Sequence, residues 1–316
     1  MAEMSTPLFA PQPTDRWVRD LIRRSQRRME ALDEPALQDL LEDAHYQERK
    51  RLERCTPERG ERETLDRLAR SLVREGRRER IDAGLSLVAL WGQEIHGRFN
   101  PRVYRLATRV LPRALGGMLA QRPHSLRELR HLNLDLGKRL TLGGDVALIR
   151  ELVNEGTVVL APTHVSNMDS PLLGLALHQA ELPPFVYGAG LNLFSNPILG
   201  WWLRRLGAYT VDRRKRAALY KEVLKDYSIL CMRGGLHSLF FPGGTRCRSH
   251  MLETKLKKGL LGTGIIAWQE NLEARAPKGE IYIVPCTLTY QLVLEASTLI
   301  DDHLAEAGKE RYIIED

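Results

Sequence analysis

The sequence has no long hydrophobic run. In its 316 residues no stretch approaches the roughly 18 consecutive apolar residues that a membrane-spanning helix needs. The first residues, MAEMSTPLFAPQPTDRW, lack the basic start and apolar core of a secretory signal peptide. We therefore expect no transmembrane segment, and a protein that lies in the cytoplasm or binds peripherally to the cytoplasmic face of the cell membrane.

Cysteine is also scarce. Cys55, Cys231, Cys247 and Cys286 form no CxxC pair and no zinc-finger spacing. This pattern is typical of a reduced intracellular protein, and it predicts no metal site.

The net charge is +7 and the pI is near 9.3. A basic balance is compatible with a phosphorylated small molecule, an acidic lipid surface or nucleic acid, and equally with an ordinary basic enzyme. Residues 42–80 mix Arg with Glu, which predicts a solvated helix pair broken at Pro57–Gly60. Because the basic residues are mixed with acidic ones and lack interleaved aromatics, we expect no nucleic-acid partner.

The chain divides into two regions of different pattern. Residues 1–135 are predicted to be helical, and residues 136–316 alternate β-branched runs with helical segments. This alternation predicts an α/β fold with a mixed, largely parallel sheet flanked by helices. The expected strands are Thr157–Ala161, Phe185–Tyr187, Ala208–Val211, Ser238–Phe241 and Ile281–Thr289. The expected helices are Asp15 to about Leu41, Ile81–Trp91, 101–119, Asp145–Asn154, one opened by Ser170 as cap, Ile198–Leu206, Ala217–Met232 and Leu256–Gln269.

The helix over residues 101–119 carries an apolar face between four arginines, Arg102, Arg105, Arg109 and Arg113. We interpret it as a helix packed on its own domain. The alternative is a basic amphipathic helix that lies on anionic lipid.

The first candidate site is the segment 163–170 (THVSNMDS), which follows a buried strand and precedes a helix. Sites in α/β proteins lie at the carboxyl ends of parallel strands. Asp169 could accept a hydrogen bond from the His164 imidazole, and His164 could then act as a general base toward a substrate hydroxyl. The alternative is a capping Asp beside a loop histidine.

Two further segments carry positive charge after a strand. In residues 240–248 (FFPGGTRCR), the backbone around Gly244 and Thr245 could receive a phosphate that Arg246 and Arg248 bind. The segment 207–216 ends in a basic cluster that includes Arg213 and Lys215. The alternatives are a tight turn and an exposed run of charge. A fourth segment, 283–290 (IVPCTLTY), reads as a buried strand.

Together and in this order, the four segments resemble the blocks of the glycerolipid acyltransferase superfamily. His164…Asp169 is similar to its H-x4-D block, Gly207…Arg213 to its second block, residues 241–246 to its F-P-E-G-T-R block, and Val284-Pro285 to its fourth. Within this superfamily the segments 188–193 (GAGLNL) and 204–208 (RRLGA) resemble the bacterial membrane-bound glycerol-3-phosphate 1-O-acyltransferases.

The resemblance implies an acyltransferase domain preceded by a helical domain. It implies that His164 and Asp169 are catalytic, and that Arg213, Lys215, Gly244, Thr245, Arg246 and Arg248 bind the acceptor phosphate. Acyl-CoA or acyl-carrier protein would be the donor co-substrate, with no cofactor and no metal. The acceptor would be glycerol 3-phosphate; lysophosphatidic acid and dihydroxyacetone phosphate are the alternatives. The acyl chain would need a groove, which we place over the helix after Pro171 and around Trp201 and Trp202. The alternative for these two tryptophans is ordinary core packing.

Two positions depart from the superfamily pattern. Gly243 stands where most members have Glu, and Cys247 replaces the usual Ser of the bacterial branch. Gly243 suggests a further alternative of another class, an inactive scaffold that binds lipid or phosphate.

Overall fold

The computed structural model describes residues 14–57, 60–119, 140–166, 168–194, 196–244, 256–291, 300 and 304. The helices are α1 (Thr14–Ala31), α2 (Glu34–Leu52), α3 (Glu61–Arg74), α4 (Arg77–Ile95), α5 (Pro101–Leu119), α6 (Val146–Glu155), α7 (Asp169–Gln179), α8 (Pro197–Arg205), α9 (Ala218–Arg233), α10 (Lys258–Leu261) and α11 (Thr263–Glu273), with a 3-10 turn at Leu191–Phe194. The strands are β1 (Thr157–Pro162), β2 (Val186–Gly190), β3 (Ala208–Val211), β4 (Ser238–Leu239) and β5 (Ile281–Cys286).

The sequence predicted a single helix from Asp15 to about Leu41, and this is wrong. The chain instead ends α1 at Ala31 and starts α2 at Glu34. The Asp33 side chain accepts a hydrogen bond from the Ala36 N–H, and Pro35 lies in the first turn of α2, where it has no N–H to leave unsatisfied. The local signal for a new helix was therefore present in the sequence.

The N-terminal helices pack directly on the α/β region. Leu21, Val88 and Trp91 share one hydrophobic cluster with Tyr209 and Tyr220. Charged side chains add a second connection, because Arg24 and Arg28 both donate to the buried Asp226 of α9, each at 2.7 Å. The division into domains at residue 135 stays a prediction, but the two regions are packed into one core.

The described strands form a five-stranded sheet in the order β3-β2-β4-β1-β5, and every neighbouring pair is parallel. Val159 of β1 lies opposite Ser238 on one side and Ile283 on the other. The predicted α/β fold is confirmed, and the described sheet is parallel throughout rather than mixed. Two strands are shorter than predicted, since β4 ends at Leu239 and β5 at Cys286.

Both faces of the sheet are covered at the interior strand β1, as expected for parallel strands. The edge strand β5, which the sequence predicted to be buried, contains no buried residue, because only one side of it is paired with another strand. Val158 and Leu160 of β1 pack with Leu173 of α7 and with side chains of α6 on one face. Val159 points to the other face and packs with Ile229 of α9 and Ala267 of α11. Because all the strands run the same way, the segments that follow β1, β3, β4 and β5 emerge at one edge of the sheet.

The helix α5 extends over the predicted residues and contains Pro112 within it. It contacts α7 and α8, and Ala107 is buried. Leu106 and Val110 remain exposed. Thus α5 packs on its own domain, as we interpreted it, and still presents apolar side chains to the solvent. Within the described part of the chain, no helix combines the length and the apolar character needed to cross a membrane.

Candidate active site

The first motif lies at the carboxyl edge of the sheet, between the ends of β1 and β5. The Thr163 N–H donates to the Cys286 carbonyl at 3.0 Å, and the Leu288 N–H donates to Thr163 Oγ1 at 3.0 Å. These two bonds join the turn that carries His164 to the segment after β5. The fourth segment of the sequence therefore lies beside the first.

Asp169 is the first residue of α7, and its side chain is completely buried, with 0% of its surface exposed. Its Oδ2 accepts from His164 Nδ1 at 2.6 Å, from the Val165 N–H at 2.7 Å and from the Ser166 N–H at 3.0 Å. Its Oδ1 accepts from the Tyr290 hydroxyl at 2.5 Å. A negative charge at a helix N-terminus is also favourable.

These contacts set the protonation of Asp169. Burial opposes ionisation of the carboxyl, but the hydrogen bonds from His164, Tyr290, Ser166 and Val165 outweigh it and lower the pKa of Asp169 below its usual value. The carboxylate is therefore ionised at neutral pH.

The ionised carboxylate determines the tautomer of His164. A carboxylate can only accept, so Nδ1 of the ring must carry the proton. The neutral ring then has an unprotonated Nε2, which is the nitrogen that a general base needs. The His164 side chain is 23% exposed and is thus reachable from solvent.

The sequence predicted Ser170 as the cap of this helix, and this is wrong. The helix begins at Asp169, and the capping position is Met168, two residues earlier than predicted. Ser166 provides the local support instead, because its Oγ accepts from the Met168 N–H at 3.0 Å. The reason is the carboxylate of Asp169, which draws the preceding backbone N–H groups toward itself.

Phe241 joins the first motif to the third. Its ring stacks on the His164 imidazole, with centroids 4.3 Å apart and planes inclined by 27°. The chain then turns, since the Gly244 N–H donates to the Phe241 carbonyl at 3.0 Å. Gly244 has φ of +72°, and a Cβ there would lie 2.7 Å from Lys257 Cγ. The positive φ favours glycine at 244, and a Cβ there would displace the Lys257 side chain.

Arg213 comes to the same turn from the end of β3. It is exposed, and its Nη2 donates to the Gly244 carbonyl at 2.9 Å. The structure therefore brings together two of the residues that the sequence assigned to a phosphate site. Thr245, Arg246 and Arg248 lie outside the described residues.

Lys215 lies elsewhere. Its ammonium is buried, 2.5 Å from Glu94 Oε2 and 3.5 Å from Glu61 Oε1. It also lies over the rings of Trp91 and Tyr220. Two carboxylates already compensate this charge, so the structure gives Lys215 a packing role instead of the expected contact with an acceptor phosphate.

Sequence reasoning did not assign two side chains that the structure places at these loops. Tyr290 is the last residue of the fourth segment, but nothing in the spacing indicated that its hydroxyl reaches Asp169. Lys257 is exposed beside Gly244, and its N–H donates to the Pro242 carbonyl at 2.7 Å. No sequence signal pointed to it, because the contact depends on the path of the chain. Among the described side chains, no group of three His, Cys, Asp or Glu is arranged to hold a metal ion.

Comparison with known proteins finds similar sequences for the region that contains these segments. Residues 145–289 match the protein family described as Acyltransferase. The chain is 31% identical over 147 residues to the glycerol-3-phosphate acyltransferase of Xanthomonas campestris, which is 46% of this chain and 16% of that protein. It is 34% identical over 166 residues to the protein of the same name from Histophilus somni, covering 52% and 19%. The chain therefore matches less than a fifth of the length of these relatives.

We expect Tyr290→Phe to destabilise the protein, because a buried charged acceptor loses a donor. Urea unfolding at pH 7 should show a loss of about 1–3 kcal/mol. At a pH above the unfolded pKa of Asp169, about 4, its native contacts stabilise the folded protein. This stabilisation is lost as the pH falls through the lower pKa of Asp169 in the folded state. The difference between the variant and the wild type should therefore shrink in acid.

The matched control is Tyr282→Phe, whose lost hydroxyl contact is with the surface residue Glu155. Tyr282→Phe should lower the free energy of unfolding by less, and the loss should not follow the titration of Asp169. Equal losses in the two variants would contradict the role given to Tyr290.

Proposed function

We propose that the protein transfers a fatty acyl group from an acyl thioester to the sn-1 hydroxyl of glycerol 3-phosphate, because residues 145–289 match the protein family described as Acyltransferase. The donor would be acyl-CoA or acyl-carrier protein, and the reaction would serve phospholipid biosynthesis. The observation that carries the proposal is the contact of 2.6 Å between His164 Nδ1 and the buried, ionised Asp169. That contact leaves Nε2 of the neutral imidazole as the acceptor of a proton.

The proposed reaction needs no nucleophile from the protein. Nε2 of His164 takes the proton from the acceptor hydroxyl while that oxygen attacks the thioester carbonyl. Asp169 stabilises the imidazolium that forms, as in other carboxylate–histidine pairs. The tetrahedral intermediate then collapses, the C–S bond breaks, and the thiolate takes the proton from the imidazolium. The products are an ester and a free thiol, with His164 neutral again.

The burial of Ser166 supports attack by a substrate hydroxyl instead of by a serine of the protein. Ser166 is the described hydroxyl closest in sequence to His164 on the helix side, but it is fully buried and its Oγ is engaged with the Met168 N–H. A covalent acyl-serine at this position would require the turn to open. Direct attack by a substrate hydroxyl requires no such rearrangement.

The phosphate of the acceptor would bind at the turn that contains Gly244. Arg213 lies there with its guanidinium, and Lys257 is exposed beside it. The guanidinium fork suits the oxygens of a phosphate. Thr245, Arg246 and Arg248 follow directly in the chain and are proposed to complete the site. Phe241, stacked on His164, connects this turn to the base.

Glycerol 3-phosphate is preferred to lysophosphatidic acid and dihydroxyacetone phosphate because the relatives named above are glycerol-3-phosphate acyltransferases. All three acceptors carry a phosphate, so the described geometry is compatible with each of them. The inactive scaffold is a proposal of a different class, and the intact His164–Asp169 pair argues against it.

We further propose that the protein binds an anionic membrane through α5 and α8. These two helices contact one another. Ile198 of α8 is 74% exposed, and Trp201 beside it is exposed as well. On α5, Leu106 and Val110 are exposed together with Arg102, Arg105 and Arg109. Apolar side chains flanked by arginines suit the interface of an anionic bilayer.

Replacing the base should abolish acyl transfer. We expect His164→Ala to lower kcat by about 100-fold to 10,000-fold with palmitoyl-CoA and glycerol 3-phosphate. The exposed His178→Ala on α7 is the matched control, and it should keep wild-type activity. A folded His164→Ala that remains active would contradict the mechanism.

The same assay tests the acceptor. If the wild type acylates only lysophosphatidic acid or only dihydroxyacetone phosphate, the proposed mechanism stands and that compound replaces glycerol 3-phosphate as the proposed acceptor. No activity with any of the three, using both acyl-CoA and acyl-carrier-protein donors and with lipid present, would favour the inactive scaffold.

Removing the guanidinium of Arg213 should weaken binding of the acceptor. We expect Arg213→Ala to raise the KM for the acceptor by about 10-fold to 100-fold, because a charge-assisted hydrogen bond to phosphate is lost. The KM for the thioester should not change. Arg216→Ala, on the same loop and also exposed, is the control. A rise in both KM values, or a rise in the control, would argue against a phosphate contact by Arg213.

Binding to membranes should depend on charge and on salt. The protein should float with phosphatidylglycerol vesicles at low ionic strength and less so at about 0.5 M salt, where charges are screened. Substituting Arg102, Arg105 and Arg109 together by Gln should reduce flotation, and Ile198→Ser should reduce it independently of salt. The absence of flotation at low salt would overturn this proposal.

A further inference from the structure

Five ionisable side chains meet under the loop that follows β3, and four of them come from the N-terminal helices. Arg51 donates to Glu48 and to Glu61, at 2.8 and 2.5 Å. Glu61 in turn lies 3.5 Å from the ammonium of Lys215, and Glu94 lies 2.5 Å from it. We call these five residues the buried charge cluster. Lys215 is its single member outside the helical region.

The position of the cluster is unusual because burying charges is costly. The side chains of Lys215, Arg51, Glu48 and Glu61 are each 5% exposed or less. A set of charges of this kind contributes little net stability when compared with apolar packing, but it demands one arrangement of its members. In some proteins buried charges specify the geometry of the segments that they join. Here they join α2, α3 and α4 to the loop 212–217.

Three other contacts join the same loop. The Asp212 carboxylate accepts from the Arg214 N–H at 2.9 Å, and the Tyr220 hydroxyl accepts from the Asp212 N–H at 3.0 Å. At the end of the loop, Asp43 of α2 accepts from the Ala218 N–H at 2.8 Å and so caps α9. The loop is thus held from its first residue to its last, in part by helices that precede it in the chain by more than a hundred residues.

The exposed residue of this loop is the one that reaches the candidate site. Arg213 lies two positions before Lys215, and its side chain extends to Gly244 while that of Lys215 points into the cluster. We propose that Lys215, with Glu94, is a positioning residue: it anchors the loop so that Arg213 lies at the phosphate-binding turn. The helical region would then be a structural part of acceptor recognition. This inference rests on the proposed role of Arg213 in binding the acceptor.

Glu94→Gln is the sharpest test because it alters the anchor without altering the loop. The cluster contains three carboxylates and two cations, so the variant removes its one excess negative charge and should fold. We expect amide hydrogen exchange of residues 212–217 to become about 10-fold faster. The KM for glycerol 3-phosphate should rise about 3-fold to 10-fold, with kcat and the KM for the thioester within about twofold of wild type.

The matched control is Glu270→Gln. Glu270 also joins the two regions through an ion pair, with Arg24 of α1 and with Arg233, but it lies away from the loop. It should lower stability without changing the exchange of residues 212–217 or the KM for the acceptor. The double variant Lys215→Met with Glu94→Gln preserves the net charge of the cluster. If Glu94→Gln alone fails to fold, this double variant takes its place, and we expect it to show the faster loop exchange and the higher acceptor KM predicted above.

Unchanged loop exchange together with an unchanged acceptor KM in a folded Glu94 variant would overturn the positioning role. Equal effects of Glu94→Gln and Glu270→Gln would also overturn it, because the cause would then be a general loss of packing. A wild type that acylates none of the three acceptors would refute the proposed function instead, and hydrogen exchange would still decide whether the cluster orders the loop.

Discussion

The buried carboxylate of Asp169 is the interaction on which the candidate site depends. A charge with no solvent contact is tolerated only when donors surround it, and here the donors come from the turn after β1 and from Tyr290 after β5. One carboxylate therefore joins two chain segments that lie about 120 residues apart. The same contacts fix the tautomer of His164, so the cohesion of the site and its capacity to take a proton have a single origin.

The parallel sheet explains why four separate segments can form one site. Each segment follows a strand or contains the end of one, and parallel strands deliver their carboxyl ends to a common edge. Within that edge the contacts form a sequence: Asp169 holds His164, Phe241 stacks on His164, and Arg213 bonds to Gly244 in the turn after Phe241. The base and the proposed phosphate-binding turn are thus connected through side chains and backbone.

The N-terminal helices also contact the part of the chain that carries the candidate site. They share a hydrophobic cluster with α9, and their charged residues reach the loop that carries Arg213. The immediate consequence concerns Lys215, which the sequence placed with Arg213 at the phosphate. Two residues apart on a loop, the side chains take opposite directions: one reaches the turn at the surface, and the other pairs with carboxylates in the interior.

Local pattern was enough to predict the order of the strands and most of the helices of the α/β region, the family resemblance, and the contact between His164 and Asp169, because these depend on residues close in the chain. The start of α2 after its cap Asp33 was also encoded locally, although the helical periodicity obscured it. The partner of Asp169 across the sheet, the burial of Lys215 and the contact between Arg213 and Gly244 depend on distant segments. No spacing contains this information, because the packing of the helices on the sheet decides which side chains meet.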